Sequence, residues 1–164
     1  MSIEIRKMRA ADTEQVLKLL GHWNIAPVTP SAEVPVPERT EVVIGNTYVA
    51  TDGDLIVGVC SFYQHSPVLG EGGSLAVDPA YHRRGVGDRL ELAIRRAMHA
   101  RGIRTVRSES DRPETIKWLV GRGHRIVGTV AKRHTFGSPE VSEWTVLELD
   151  LGSLPELRSE GGET

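Results

Sequence analysis

The chain has 164 residues, 39% of them apolar and 26% charged, enough for one sizeable hydrophobic core, and the expectation is a single domain over residues 1–151 with a flexible tail over 152–164. A formal net charge of −2 argues against a nucleic-acid surface, and no apolar run approaches the roughly 18 residues that a membrane helix needs. The one cysteine, Cys60, excludes a disulfide framework and a multi-cysteine metal site; with no signal-peptide pattern at the start, a cytoplasmic protein is expected.

Ile3 to Met8 alternates as a first strand. Asp12 with Gln15 three residues on signals a helix start, and Val16, Leu19 and Leu20 form its apolar stripe up to Gly21. Pro27, Pro30, Pro35 and Pro37 then rule out a continuous helix over 22–45, which reads as a loop shaping a substrate pocket or as a plain surface connection. Asn46 to Thr51 and Leu55 to Tyr63 form a hairpin about an Asp52-Gly53 turn, with Cys60 as a small buried hydrophobe in the second strand. Ser74 to Val77 is a strand, and Val86, Leu90, Ala93, Ile94, Ala97 and Met98 mark a helix closed by Gly102. Ile103 to Arg107 is a strand, and a helix opened by Asp111, Pro113 and Glu114 carries Ile116, Leu119 and Val120 to Gly123. His124 to Val130 and Trp144 to Leu149 are the last strands, separated by a polar loop.

The most specific segment lies between the Ser74–Val77 strand and the following helix: Asp78-Pro79-Ala80-Tyr81-His82-Arg83-Arg84-Gly85-Val86-Gly87-Asp88. A glycine-bearing loop at an electropositive helix start, flanked by arginines, suits a phosphate or diphosphate. It lacks the Lys and spacing of a kinase-type P-loop, and Leu90 stands where a dinucleotide fingerprint has its third glycine. The six histidines show no H-x-x-x-H spacing, so no metal is expected.

The strand–loop–helix unit resembles the coenzyme A diphosphate loop of the GCN5-related N-acetyltransferase (GNAT) superfamily, [QR]-x-x-G-x-[GA], with Gly85 and Gly87 at the small positions and His82 in place of Gln or Arg. The order of elements over roughly residues 3–150 is also the GNAT order. The resemblance implies an α/β (α+β) fold with a central mixed, mostly antiparallel sheet, splayed at strands 4/5 and covered by helices on both faces. It implies acetyl-CoA as co-substrate, with the loop backbone of His82, Arg83, Arg84, Gly85, Val86, Gly87 and Asp88 at the diphosphate and the strand edge Leu75, Ala76 and Val77 along the pantetheine arm. Arg112, at the place of a family Asn, joins the donor site.

The reaction so implied is direct acetyl transfer to a primary amine, most simply of a small molecule. The alternatives are a protein lysine or N-terminal acetyltransferase, or a CoA-binding regulatory module of weak turnover. Glu71 is the first candidate for the base, where histone-type members carry a glutamate on the fourth strand; as an alternative, Gly70-Glu71-Gly72-Gly73 reads as an exposed turn. Glu109 is the second candidate. Leu119 replaces the family's usual Tyr, which leaves the acid that protonates the thiolate unassigned among weaker candidates Tyr81, His124 and His134. Trp23 and Tyr63 are candidates to line the acceptor pocket. No nucleic acid or membrane partner is expected, and a homodimer is a state the family allows and this sequence does not specify.

Overall fold

A hairpin and two helices organise the N-terminal part of the chain, as a computed structural model describing residues 2–25, 42–132, 137–154 and 157 shows. The proline-bearing residues 26–41 and His134 lie outside the described residues. The strands are hydrogen-bonded in the order β1-β2-β3-β4-β5-β7-β6. Contacts divide the chain into a unit of Met1–Tyr63 with Gly72–Ile94 and a unit of Gln64–Glu71 with Arg95–Thr164.

In the first unit β1 (Ile3–Lys7) runs antiparallel to β2 (Thr47–Asp52), with Ile5 opposite Ala50, and β2 runs antiparallel to β3 (Leu55–Gln64). Asp52 still pairs with Leu55, so the turn is Gly53-Asp54, one residue later than expected, and Gly53 supplies the positive φ of +59°. Helix α1 (Thr13–His22) starts where expected, with Asp12 as its N-cap residue but without a side-chain capping bond. Asp12 does not cap Gln15: its carboxylate takes both Arg6 guanidinium nitrogens, at 2.7 and 3.0 Å, and the Arg9 N–H at 2.8 Å. A charge-assisted fork outcompetes a neutral backbone donor. The hydrogen bond from Arg6 is the main reason the Asp12 carboxyl is held below the usual range. Gln15 instead accepts from Ile56 N at 2.9 Å, tying α1 to β3.

Val16, Leu19 and Leu20 bury against Met8, Val49, Ile56, Val59 and Ala76, with Trp23, Ile25 and Val42 packed at the margin. Cys60 is buried in β3 as expected; burial first, and the Glu91 carboxylate second, push its thiol pKa up. Helix α2 (Val86–Ala100) approaches β3 at Gly58, where a Cβ would stand 2.8 Å from Leu90 Cδ1 and 3.1 Å from Val86 Cγ1. Gly58 is therefore what allows the start of α2 to lie so close to the sheet.

In the second unit a tight turn leads into the start of β4 (Leu69–Val77), whose residues from Gly72 on belong to the first unit. Residues 70–73 are strand and not an exposed turn: Gly70 packs beneath Met98 and Ile103, whose side-chain atoms would stand 3.1 to 3.2 Å from a Cβ, so glycine serves close approach here. β4 pairs in parallel with β5 (Thr105–Ser110), Leu69 with Thr105 and Glu71 with Arg107. β5 reaches three residues beyond its expected end at Arg107. It runs antiparallel to β7 (Glu143–Asp150), which runs antiparallel to β6 (Arg125–Ala131) across a bulge between Ile126 and Gly128.

The sheet is thus mixed and mostly antiparallel, in the α/β arrangement that the resemblance implied. Helix α3 (Pro113–Gly121) has Arg112 as N-cap residue. Asp111 turns to Lys132 Nζ and Ser138 N, both at 2.5 Å, in a pocket where the Lys132 and Asp111 side chains are 6% and 3% exposed. Leu151, Leu154 and Leu157 are buried.

Candidate active site

The end of β4 and the start of α2 flank the glycine-bearing loop. Asp78 N is held by Val57 O at 2.8 Å, and the Asp78 carboxylate accepts from Ala80 N at 2.9 Å, which folds 79–81 into a single tight turn. Arg83 and Gly85 then both take left-handed backbone, φ +63° and +74°. No atom lies within 4 Å of a Cβ placed on Gly85, so glycine is needed there for its φ and not for space. Gly85 O accepts from Arg89 N at 3.1 Å, so the N–H groups of Val86, Gly87 and Asp88 precede the first helical bond. Left-handed turns at a helix start point backbone N–H groups into a common concavity, with the positive end of the dipole behind them. Arg83 and Arg84 are exposed beside it, Arg84 over the Tyr81 ring at 5.3 Å. These residues fit a diphosphate group.

His82 is anchored towards the strand. Its ring stacks on Trp23, with centroids 5.5 Å apart and planes 14° apart, and its Nε2 lies 3.1 Å from Val77 O. Trp23 Nε1 donates to the same carbonyl at 3.0 Å. Two donors, the Trp23 indole and the His82 imidazole, thus occupy the Val77 oxygen. Trp23, a candidate for the acceptor pocket, is here a clasp between the end of α1 and the end of β4. Tyr63 is half-buried in β3.

Near the start of β4, Glu71 is 8% exposed, and its Oε1 lies 3.1 Å from His65 Nε2. Adjacent strands set paired residues on the same face, and residues two apart on one strand share a face. Glu71, its register partner Arg107, and Glu109 therefore lie on one face of the sheet. Arg107 Nη2 donates to Glu109 Oε1 at 2.8 Å, while the buried Arg107 Nε has no partner among the described residues. The structure thus brings both carboxylate candidates to one face, Glu71 beside an imidazole and Glu109 in the grip of a guanidinium. His65 and Arg107 were not anticipated. The signal for Arg107 was its i, i+2 spacing to Glu109, which becomes visible once the strand is carried to Ser110.

Other candidates have structural engagements. Arg112 donates its backbone N–H to Ser110 Oγ at 3.2 Å and belongs to the second unit. Tyr81 donates its hydroxyl to Asp52 Oδ2 at 2.5 Å, and that bond raises its pKa, which makes it a poorer acid. His124 is buried at the end of α3 with Nδ1 3.2 Å from Leu119 O, and Leu119 is itself buried. Among the described residues no group of three His, Cys, Asp or Glu is placed to hold a metal ion, and no helix is long and apolar enough to cross a membrane.

Residues 44–123 match the family model described as an acetyltransferase (GNAT) domain, and this part of the chain is a GNAT acetyltransferase domain. Solved structures of like fold include Ard1 from Thermoplasma volcanium, 18% identical, covering 92% of this chain and 98% of that one at a TM-score of 0.69. The ribosomal-protein-S18-alanine N-acetyltransferase from Escherichia coli is 13% identical, with 94% and 97% covered and a TM-score of 0.70. The putative acetyltransferase yncA from Salmonella typhimurium, solved with acetyl-CoA, is 14% identical, with 92% and 95% covered and a TM-score of 0.69. At these identities the likeness concerns the fold. No curated protein sequence matches the chain.

Proposed function

We propose that the protein transfers the acetyl group of acetyl-CoA to a primary amine in a ternary complex, with the diphosphate at residues 83–88 and Glu71 as general base. The observation that carries this reading is the placement of Glu71: a carboxylate 8% exposed within β4, on the strand whose far end leads into the glycine loop. Neighbours of this fold include yncA, solved with acetyl-CoA, and an N-acetylglutamate synthase from Neisseria gonorrhoeae, solved with coenzyme A, which supports acetyl-CoA as donor. The neighbours differ in kind, one a ribosomal-protein-S18-alanine N-acetyltransferase and another an N-acetylglutamate synthase solved with N-acetyl-glutamate. A base as enclosed as Glu71 suits a small amine that enters whole, and a small-molecule acceptor is the reading we adopt.

The chemistry then assigns the following work to this chain. Backbone N–H groups at the start of α2 and the neighbouring arginines bind the diphosphate. The acceptor arrives as an ammonium ion, and the Glu71 carboxylate takes one proton, which passes to solvent. The freed amine attacks the thioester carbonyl, the C–S bond breaks, and the second nitrogen proton ends on the CoA sulfur. The balance is acetyl-CoA plus R–NH3+ giving R–NH–acetyl, CoA–SH and H+. Leu119, in the place of the usual tyrosine, has no proton to give, so the attacking nitrogen itself is the nearest source for the thiolate. The test is thiol release from acetyl-CoA against a panel of spermidine, L-lysine, tyramine, glycinamide and a short peptide with a free N-terminus. Release that depends on a small amine supports the reading, release with the peptide alone moves it to protein N-termini, and release with none of them overturns it.

A further inference from the structure

We propose that Trp23 is a positioning residue for the donor site: by clasping the His82 ring against the end of β4, it holds Arg83 in the left-handed turn that shapes the diphosphate loop. The inference rests on the diphosphate lying at residues 83–88. The Val77 carbonyl only accepts, so His82 Nε2, 3.1 Å away, carries the hydrogen. That nitrogen is committed to the strand, and the imidazole stacks on the indole with centroids 5.5 Å and planes 14° apart. The indole Nε1–H reaches the same oxygen at 3.0 Å. One carbonyl takes both donors, and the geometry that satisfies them also brings the two rings face to face.

The need for a hold at residue 82 is visible in the backbone. Asp78 N donates to Val57 O and Tyr81 N to Asp78 O, both at 2.8 Å, but His82 N reaches Pro79 O only at 3.3 Å. The Tyr81 hydroxyl donates to Asp52 at the hairpin. The backbone bonds therefore slacken at the residue that enters the loop, where the ring clasp takes over. The far end of the loop is fixed by packing: Val86 and Leu90, buried, rest on Gly58 of β3. Between these two fixed points residues 83–85 must turn sharply, and they do so with φ +63° at Arg83 and +74° at Gly85. Glycine takes such a φ freely, whereas the Cβ of Arg83 makes left-handed backbone unfavourable. With residue 82 released, Arg83 is expected to relax to an ordinary φ, and the N–H groups at the start of α2 no longer share a concavity with the loop. A ligand that needs the left-handed form then binds in proportion to the fraction of molecules that hold it.

The test measures CoA affinity by calorimetry, well below the unfolding temperature, for wild type, Trp23→Ala, Trp23→Phe and Arg83→Gly, and for each Trp23 change combined with Arg83→Gly. Trp23→Ala is expected to weaken CoA binding about five- to tenfold, the cost of left-handed backbone at a residue that carries a Cβ. In the Arg83→Gly background the same change is expected to weaken binding less than about twofold, because glycine takes positive φ about as readily as negative. Affinity lost with the Arg83 charge appears in Arg83→Gly alone and cancels from the comparison. A role in packing alone gives the same loss in both backgrounds, so equal losses overturn the inference, as does wild-type affinity in Trp23→Ala. Trp23 also packs at the margin of the core. If Trp23→Ala does not fold, Trp23→Phe, which keeps an apolar ring and removes the N–H, decides by the same comparison: a loss of about threefold is expected with Arg83 present and none in Arg83→Gly, and equal losses overturn the inference. Gly85→Ala separates the two levels, since it strains the loop at φ +74° with nothing within 4 Å of the new Cβ. Wild-type CoA affinity in it removes the diphosphate assignment and this inference together, while weakened binding in Gly85→Ala beside unaffected Trp23 variants removes the inference only.

Discussion

Gly58→Ala adds one methyl group where α2 rests on β3. That methyl would stand 2.8 Å from Leu90 Cδ1, 3.1 Å from Val86 Cγ1 and 3.4 Å from Ala50 Cβ. Carbon atoms pack at about 3.5–4.0 Å, so Leu90 has to retreat by roughly 0.7 Å or more. Leu90 is 0% exposed and Val86 2% exposed, so neither has open space to retreat into. Overpacking of this kind costs about 1–3 kcal/mol. Both side chains belong to the first turns of α2, so the displacement also reaches the backbone assigned to the diphosphate, and CoA affinity is expected to fall about tenfold, the equivalent of about 1.4 kcal/mol. Denaturant unfolding reads the first effect as a lower midpoint at unchanged slope, and calorimetry reads the second. Gly121→Ala is the control. It lies in α3 with nothing within 4 Å of a new Cβ and is expected to be stabilising by roughly 0.4–1 kcal/mol. Gly58→Ala as stable as wild type with unchanged CoA affinity would refute the close approach.

Asp12→Asn should remove stability of about 1 kcal/mol that wild type has at neutral pH. The Asp12 carboxyl is depressed when folded, chiefly by the Arg6 bond, so its contribution is complete above the unfolded value near 3.9 and fades as pH falls through the lower folded value. Unfolding midpoints of wild type and Asp12→Asn should therefore converge in acid; a constant gap down to about pH 2 would contradict this. Lys132→Met leaves Asp111 buried without its cation and should cost about 3–5 kcal/mol, measured as a fall in the denaturation midpoint. A loss under about 1 kcal/mol would mean that the pair is solvated.

The loop was legible because a strand, two glycines and a helix stripe are contiguous, and each is a local signal. Glu71 was legible only by its place before His82, since four small or turn-prone letters concealed a strand. The packing of Gly70 beneath Met98 and Ile103 that makes it strand is a long-range fact. His65 was hidden because its contact depends on the reversal at Ser66, and the Trp23–His82 stack joins residues that no periodicity relates. Asp12 marks the helix start as its pattern indicates, while its side chain is taken by a guanidinium six residues earlier, which local sequence does not reveal.

The account stands most directly on Glu71→Gln, measured for kcat with the best panel amine and for CoA affinity by calorimetry on the same preparation. A base acts on the acceptor and not on the donor's phosphates, so kcat should fall by about 10²–10⁴ while CoA affinity stays within about twofold. A kcat equal to wild type at every pH would show that Glu71 is a structural strand residue and would return the role of base to Glu109.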